Sequence, residues 1–267
     1  MPYRAPMAAP RDLERTVLAD IHDLALAERT PEGFFHGLTP LLRDALRFDA
    51  GCWHGADPVT GFLTSTVSDG LDLGSFEQAA QLEIWSDDAT RFAAIRAAGR
   101  LADTVHRATR GHPEHSVRYR ELLSGHHFVD ELRINFDHHG GRWGSAALMR
   151  ERDQRPYGAD ELRLAARAAR AIGTALSRYA LPAPAAAAAT KMDGPAVAVI
   201  SAAGRLTAAD PAAEALLAEL ADDPRSGALP GSRGSARTAL PTALTTIVEQ
   251  ARGRLGPGAA ERRSGPG

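Results

Sequence analysis

Asp130–Glu151 reads DELRINFDHHGGRWGSAALMRE, and the period of its apolar residues decides the fold class. Leu132, Ile134 and Phe136 alternate with Glu131, Arg133 and Asn135, a period of two that indicates a half-buried strand. Trp143 to Met149 is a mostly apolar run without charge, as expected for a strand covered on both faces. Between them, Gly140 and Gly141 accept positive φ at little steric cost. The stretch is expected to be a hairpin, with His138 and His139 at its tip on the solvent side.

Working outward, DLERTVLADIHDLALAER places Leu13, Val17, Leu18, Ile21, Leu24 and Ala25 on one helical stripe. A second helix opens with Thr30 as N-cap and Pro31 in its first turn, and buries Phe34, Phe35, Leu38, Leu41, Leu42 and Leu46. Cys52 and Trp53 lie on a first strand, Asp57, Pro58 and Gly61 in a turn, and Phe62 to Val67 on a second strand. From Ser75 to about Ser124 the pattern is helical and irregular, with Phe76, Ala80 and Ile84 on one stripe. Phe92 and Ile95 mark a short helix there, and Tyr119, Leu122 and Leu123 mark another, capped by Ser116. After the hairpin, a helix carries Leu162, Ala165, Ala169, Ile172 and Leu176 on one face. Helices flanking antiparallel strands predict an α+β domain.

The expected division is a disordered N-terminus over 1–11, the α+β domain over 12–181, an Ala/Pro linker over 182–194, a small α/β segment over 195–255 and a disordered tail over 256–267. The linker LPAPAAAAATKMDGP has almost nothing to bury. PAVAVISAAGRLTAADPAAEALLAEL reads as strand, Gly204 turn, short strand and a helix entered through Asp210 and Pro211, and LPTALTTIVEQARGRL adds one more helix.

Composition narrows the function. A net charge of -2 gives no electrostatic reason for nucleic-acid binding. Cys52 is the single cysteine, so an internal disulfide and a Cys-based zinc site are excluded. That fits a reducing cytoplasm, and the N-terminus lacks the apolar core of a signal peptide. No segment is apolar and long enough to be read as a membrane span.

Nothing in the sequence spells out a reaction. His138 and His139 are adjacent and would face opposite ways on a strand. His112 and His115 flank a proline in a loop, His126 and His127 sit in GHHF, and there is no HExxH helix. Ser145 lies inside a strand rather than at a nucleophile elbow, and Cys52 beside Trp53 reads as a small buried hydrophobe. No catalytic residue, metal or cofactor is expected. By position, Trp53, Phe62, Phe92, Phe136 and Trp143 are the candidates for lining a small-molecule pocket. The simpler reading of the same large side chains is that they fill a plain core.

HGADPVTGFLTSTVSDGLDL, DDATRFAAIRAAGR, SVRYRELLSGHHFVDELRINF and the run from Gly141 to Leu181 resemble the sensor half of actinobacterial LuxR-type transcriptional regulators. The resemblance runs from about Leu13 to Leu181, and more weakly from Pro195 to about Leu255. It implies a GAF domain, in whose sheet a cavity can open between one face and the irregular helices covering it, followed by a degenerate, here incomplete, PAS-like segment, in a cytoplasmic protein that senses a small ligand or partner. In that family a helix-turn-helix comes last, and no segment after Leu255 reads as one. The expectation is therefore a sensor without its DNA reader, working as a homodimer or with full-length regulators. A His-based metal-dependent enzyme and a non-catalytic dimerisation partner are the alternatives.

Overall fold

Local chemistry sets the first two helices, and the computed structural model shows how they reach the sheet. It describes residues 10–59, 61–71, 76–179, 196–201, 205–222 and the helical positions 244, 245, 247, 248 and 251. The linker over 182–194, the Gly204 turn, the tail over 256–267 and most of the helix expected before Leu255 lie outside these residues. Helix α1 spans Pro10–Ala27, two residues ahead of its expected start, and buries Val17, Ile21 and Ala25 while Leu13 stays exposed. Helix α2, Pro31–Leu46, is capped as the sequence predicts: the Thr30 hydroxyl accepts from the Gly33 N–H at 3.1 Å, in place of an absent intrahelical partner.

Five antiparallel strands follow in the order β2-β1-β5-β4-β3. They are β1 (Ala50–Ala56), β2 (Leu63–Asp69), β3 (Ala102–Thr104), β4 (Phe128–His138) and β5 (Gly141–Glu151). Helices α3 (Phe76–Trp85), α4 (Phe92–Ala97) and α5 (Val105–Ala108) and a π-helical turn at Tyr119–Leu123 come between β2 and β4. The long α6, Ala159–Tyr179, closes the domain. This is the α+β architecture the element order implied.

The hairpin of β4 and β5 forms with one adjustment. Its turn residues are His139 (φ 48) and Gly140 (φ 79), while Gly141 is already paired with His138. Both central residues are left-handed, as a type I′ turn requires. Strand β3 was not legible: three residues carry no period, and only pairing of Ala102 with Ile134 and Thr104 with Leu132 makes them a strand.

One face of the sheet holds the main core. Leu132, Ile134 and Phe136 of β4, Ala146 and Leu148 of β5 and Trp53 of β1 meet α1, α2 and α6 there. Trp53 lies stacked between Phe35 and Phe136, with ring centroids 6.1 and 6.2 Å away. Helix α6 approaches closely because position 173 is glycine; a Cβ there would come within 2.7 Å of the Asp137 carbonyl oxygen. Arg150 fastens the far end: Nε donates to the Arg47 carbonyl at 3.1 Å, and Nη2 to the Leu46 carbonyl at 2.5 Å and Glu161 at 3.0 Å. A buried cation thus satisfies orphan carbonyls at the end of α2.

The expectation for the other face of β4 is corrected. Glu131, Arg133 and Asn135 are each at most 1% exposed, so the strand is covered on both sides and its polar side is buried. Farther on, β6 (Ala198–Ile200) pairs antiparallel with β7 (Leu206–Ala209), and α7 (Pro211–Asp222) follows. Asp210 caps α7, accepting from the Ala213 N–H at 2.7 Å, as its place before Pro211 predicts.

Candidate functional site

The second face of the sheet carries small side chains at several positions of β1 and β5, among them Ala50, Cys52, Ser145 and Ala147. Ala50, Cys52 and His54 of β1 lie beside Met149, Ala147 and Ser145 of β5, in that register. Above them stand Phe76, Ala80, Glu83 and Ile84 of α3, Phe92 of α4 and Leu122 of the π-helical turn. Floor and cover do not meet everywhere, and a cavity of about 420 Å³ remains between them. Arg118, Arg133 and Arg142 also reach its wall.

Ion pairs hold the cover to the floor. Arg118 grips Glu131 with two hydrogen bonds, Nε to Oε2 at 2.7 Å and Nη2 to Oε1 at 2.9 Å. Arg133 Nη2 donates to Glu83 Oε2 at 2.5 Å, and its guanidinium lies 3.8 Å above the Phe92 ring. Glu83 Oε1 accepts from the Phe92 N–H at 2.8 Å, so one carboxylate joins α3, α4 and β4. Burial opposes the charge on Glu131, yet Arg118 and Arg133 hold its carboxyl below the ordinary range. Burial opposes the charge of Arg118 too, and Glu131 more than restores it. Arg133 is pushed down, first by burial and then by Arg118.

Two groups on the floor are held neutral. Burial takes the His54 imidazole down to about 3, helped by the charges of Arg133, Arg142 and Arg118. Its Nδ1 lies 3.1 Å from the Thr66 hydroxyl across the strand pair. Burial pushes the Cys52 thiol up to about 12, so it is not a thiolate at neutral pH.

Asp88 anchors the start of the helical turn that carries Arg118. Oδ2 accepts from the Ser116 hydroxyl at 2.6 Å and the Arg118 N–H at 3.1 Å, and Oδ1 from the Thr90 hydroxyl at 2.6 Å and its N–H at 2.8 Å. Burial opposes its ionisation, but these donors outweigh burial and hold the carboxyl at about 2. The folded value lies below the ordinary 3.8, so the contribution is full above about pH 4 and fades as pH falls towards 2. Asp88→Asn is expected to cost about 2 kcal/mol at pH 7. The gap to the wild type narrows steadily below pH 4, and urea melts at pH 7, 4 and 2.5 check it.

Of the five aromatic candidates, Phe92 stands on the cavity wall. Trp53 and Phe136 point to the opposite face and fill the main core. Trp143 is half-buried against that core, its indole N–H donating to the His138 carbonyl at 3.0 Å. Phe62 precedes β2, half-buried, between the wall residues Gly61 and Leu63. The strand alternation that places Trp53 beside Cys52 sends the two to opposite faces. Sequence reasoning missed Glu83, Arg118 and Arg133; the signal was the every-second-residue polar pattern of β4 beneath a segment long enough to cover it.

The histidines serve separate local contacts. The His112 and His115 rings stack 5.2 Å apart, and His112 meets Glu114. His138 Nδ1 lies 3.1 Å from the Thr174 hydroxyl. Among the described residues, no three His, Cys, Asp or Glu side chains are grouped as a metal site. Among them too, no helix is long and apolar enough to cross a membrane.

No protein-family model matches the chain, and no curated protein matches it. Solved structures that superpose on part of it include the GAF domain of a phosphoenolpyruvate-protein phosphotransferase from Coxiella burnetii. That comparison gives a TM-score of 0.47 at 15% identity, over 64% of this chain and 96% of the other. The LBD domain of VqsR from Pseudomonas aeruginosa gives a TM-score of 0.42 at 15% identity, over 65% of this chain and 99% of the other.

Proposed function

We propose that the α+β domain is a GAF-type sensor module of a LuxR-type transcriptional regulator, and that it binds a small ligand in the cavity beneath α3 and α4. The observation that carries the reading is the hollow itself, left between the sheet and a cover that the Arg118–Glu131 and Arg133–Glu83 ion pairs tie to it. Apolar walls with a few placed polar groups are the usual make-up of a ligand site. The protonation of the floor supports binding over catalysis. A thiol held near 12 is a poor nucleophile, and an imidazole held near 3 is a poor base at neutral pH.

The route of a signal follows from the strands. In β4, Arg133 faces the cavity while Leu132, Ile134 and Phe136 face the core that holds α6. A ligand that favours one packing of the cover shifts β4, and α6 reads the shift through side chains of the same strand. This requires different affinity for the two packings.

The neutral fluorophore N-phenyl-1-naphthylamine tests the cavity. Saturable, equimolar fluorescence enhancement is expected with the wild type, and its loss is expected in Ala147→Phe, which fills the floor. A folded wild type that gives no saturable enhancement, or an Ala147→Phe variant that binds equally well, overturns the reading.

A further inference from the structure

A second hollow lies beside the edge strand β3 and shares no residue with the cavity wall. It is an open groove of about 690 Å³ between two walls. Leu101, Ala102, His106, Arg107 and Arg110, from β3 through α5, belong to one wall. The other is α6, where Arg163, Ala166 and Arg170 recur at three and four residues on one helix face, with Leu162 beside them. One buried carboxylate ties the walls together. Asp130 of β4 accepts from the His106 N–H at 2.9 Å and from the Tyr157 N–H, just ahead of α6, at 3.1 Å.

The groove is positive along its length. Arg100, Arg107, Arg110, Arg163 and Arg170 line it, and among the described residues no Asp or Glu does. Asp103 beneath them is shared, its two oxygens meeting Arg100 Nη2 at 2.9 Å and Arg107 Nη1 at 2.8 Å. That buried carboxylate offsets one of two cations, and both arginine side chains stay partly exposed. Arg163 pairs with Asp160 at the surface. Arg110 and Arg170 are exposed and have no carboxylate partner among the described residues. In a chain of net charge -2, this is a local concentration of positive field.

Between the cations the floor is apolar, with Leu101, Leu162 and Ala166 half-buried in it. The backbone adds no anion cradle, since the N–H groups of Gly99, Arg100, Arg110 and Gly111 are bonded to carbonyls of their own turns. The Tyr157 ring is buried beneath the Arg150 guanidinium and offers no face for a nucleobase to stack on. Guanidiniums flanking an apolar strip are matched by carboxylates flanking apolar side chains. We infer that the groove is a docking site for an acidic amphipathic segment of a partner protein. Its carboxylates meet the flanking arginines, and its apolar side chains lie on Leu101, Leu162 and Ala166.

Fluorescence anisotropy of the full chain with a fluorescein-labelled amphipathic dodecapeptide of glutamate and leucine tests this. Saturable, equimolar binding is expected, at least about tenfold tighter than for the same peptide with glutamine in place of glutamate, or for polyglutamate of equal length. A single-stranded oligonucleotide of matching charge is expected to bind at least about tenfold more weakly than the peptide. Arg110→Glu combined with Arg170→Glu is expected to weaken peptide binding at least about tenfold, and neither side chain carries an ion pair on which folding depends. Arg178→Glu, the same change about 12 Å farther along α6, is expected to leave binding within about twofold of the wild type. Equal binding of the glutamine peptide overturns the role of charge, and equal binding of polyglutamate overturns the role of the apolar floor. Oligonucleotide binding as tight as the peptide's overturns the protein partner. Undiminished binding in the folded double variant, an equal loss in Arg178→Glu, or no binding of the acidic peptide overturns the site. Each of these leaves the cavity reading standing, because the two hollows have no residue in common.

Discussion

Glu131→Ala is expected to lose about 3–5 kcal/mol of unfolding free energy, because it strips the shared carboxylate from two buried guanidiniums. Arg118 loses two of its three side-chain hydrogen bonds and keeps only the long one to the Ala79 carbonyl, and Arg133 loses the farther of its two carboxylate neighbours, 3.6 Å away. Neither cation has water to turn to, since the Arg118 and Arg133 side chains are 8% and 1% exposed. The double variant Arg118→Met, Glu131→Leu removes the pair together and is expected to recover much of the loss, because a buried pair often gains little over apolar packing of similar volume. Urea denaturation of the wild type, Arg118→Met, Glu131→Leu and the double variant closes the cycle. A loss below about 1 kcal/mol in Glu131→Ala would show that the pair is solvated in a way its burial denies.

Trp53→Ala has a comparable expected cost, about 3–5 kcal/mol, from a different physical source. Its ring is fully buried, stacked on Phe35 and Phe136 and met edge-on by Phe48. Truncation removes the transfer free energy of the indole and leaves a hole between a sheet and helices that cannot collapse into it. Domains have about 5–15 kcal/mol in total, so the variant lies close to the unfolding threshold at 37 °C. Guanidinium melts should show a lower midpoint with the slope unchanged. A midpoint near that of the wild type would mean that the aromatic stack adds little.

The pattern of what could be read in advance has a physical cause. The Thr30 cap, the stripe of Phe34, Phe35 and Leu38, and the hairpin at His139–Gly140 depend on neighbours within a few residues. Their chemistry is therefore complete in the local sequence. The strand period shows that two faces exist, but a pocket under the irregular helices was only what the family resemblance implied, and its chemistry was not legible. The aromatic candidates rest on position along the chain, and strand alternation sends Trp53 and Phe136 to the face where large rings fill a core, with Phe92 on the cavity wall. Arg118 heads a short helical turn whose period says nothing of a distant partner, and the Asp88 anchor helps to bring it over Glu131.

By itself, then, the order of residues determined an antiparallel α+β domain, its helix ends, its hairpin tip and the two faces of β4, because period and capping act at short range. Tertiary structure alone decided that Glu131 and Arg133 lie inside the domain, that Ala102–Thr104 is a strand, and that small floor residues leave a hollow. Those outcomes depend on which distant segment lies over a given surface. A buried charge is tolerable only where its partner arrives from elsewhere in the chain, and no local pattern records that arrival.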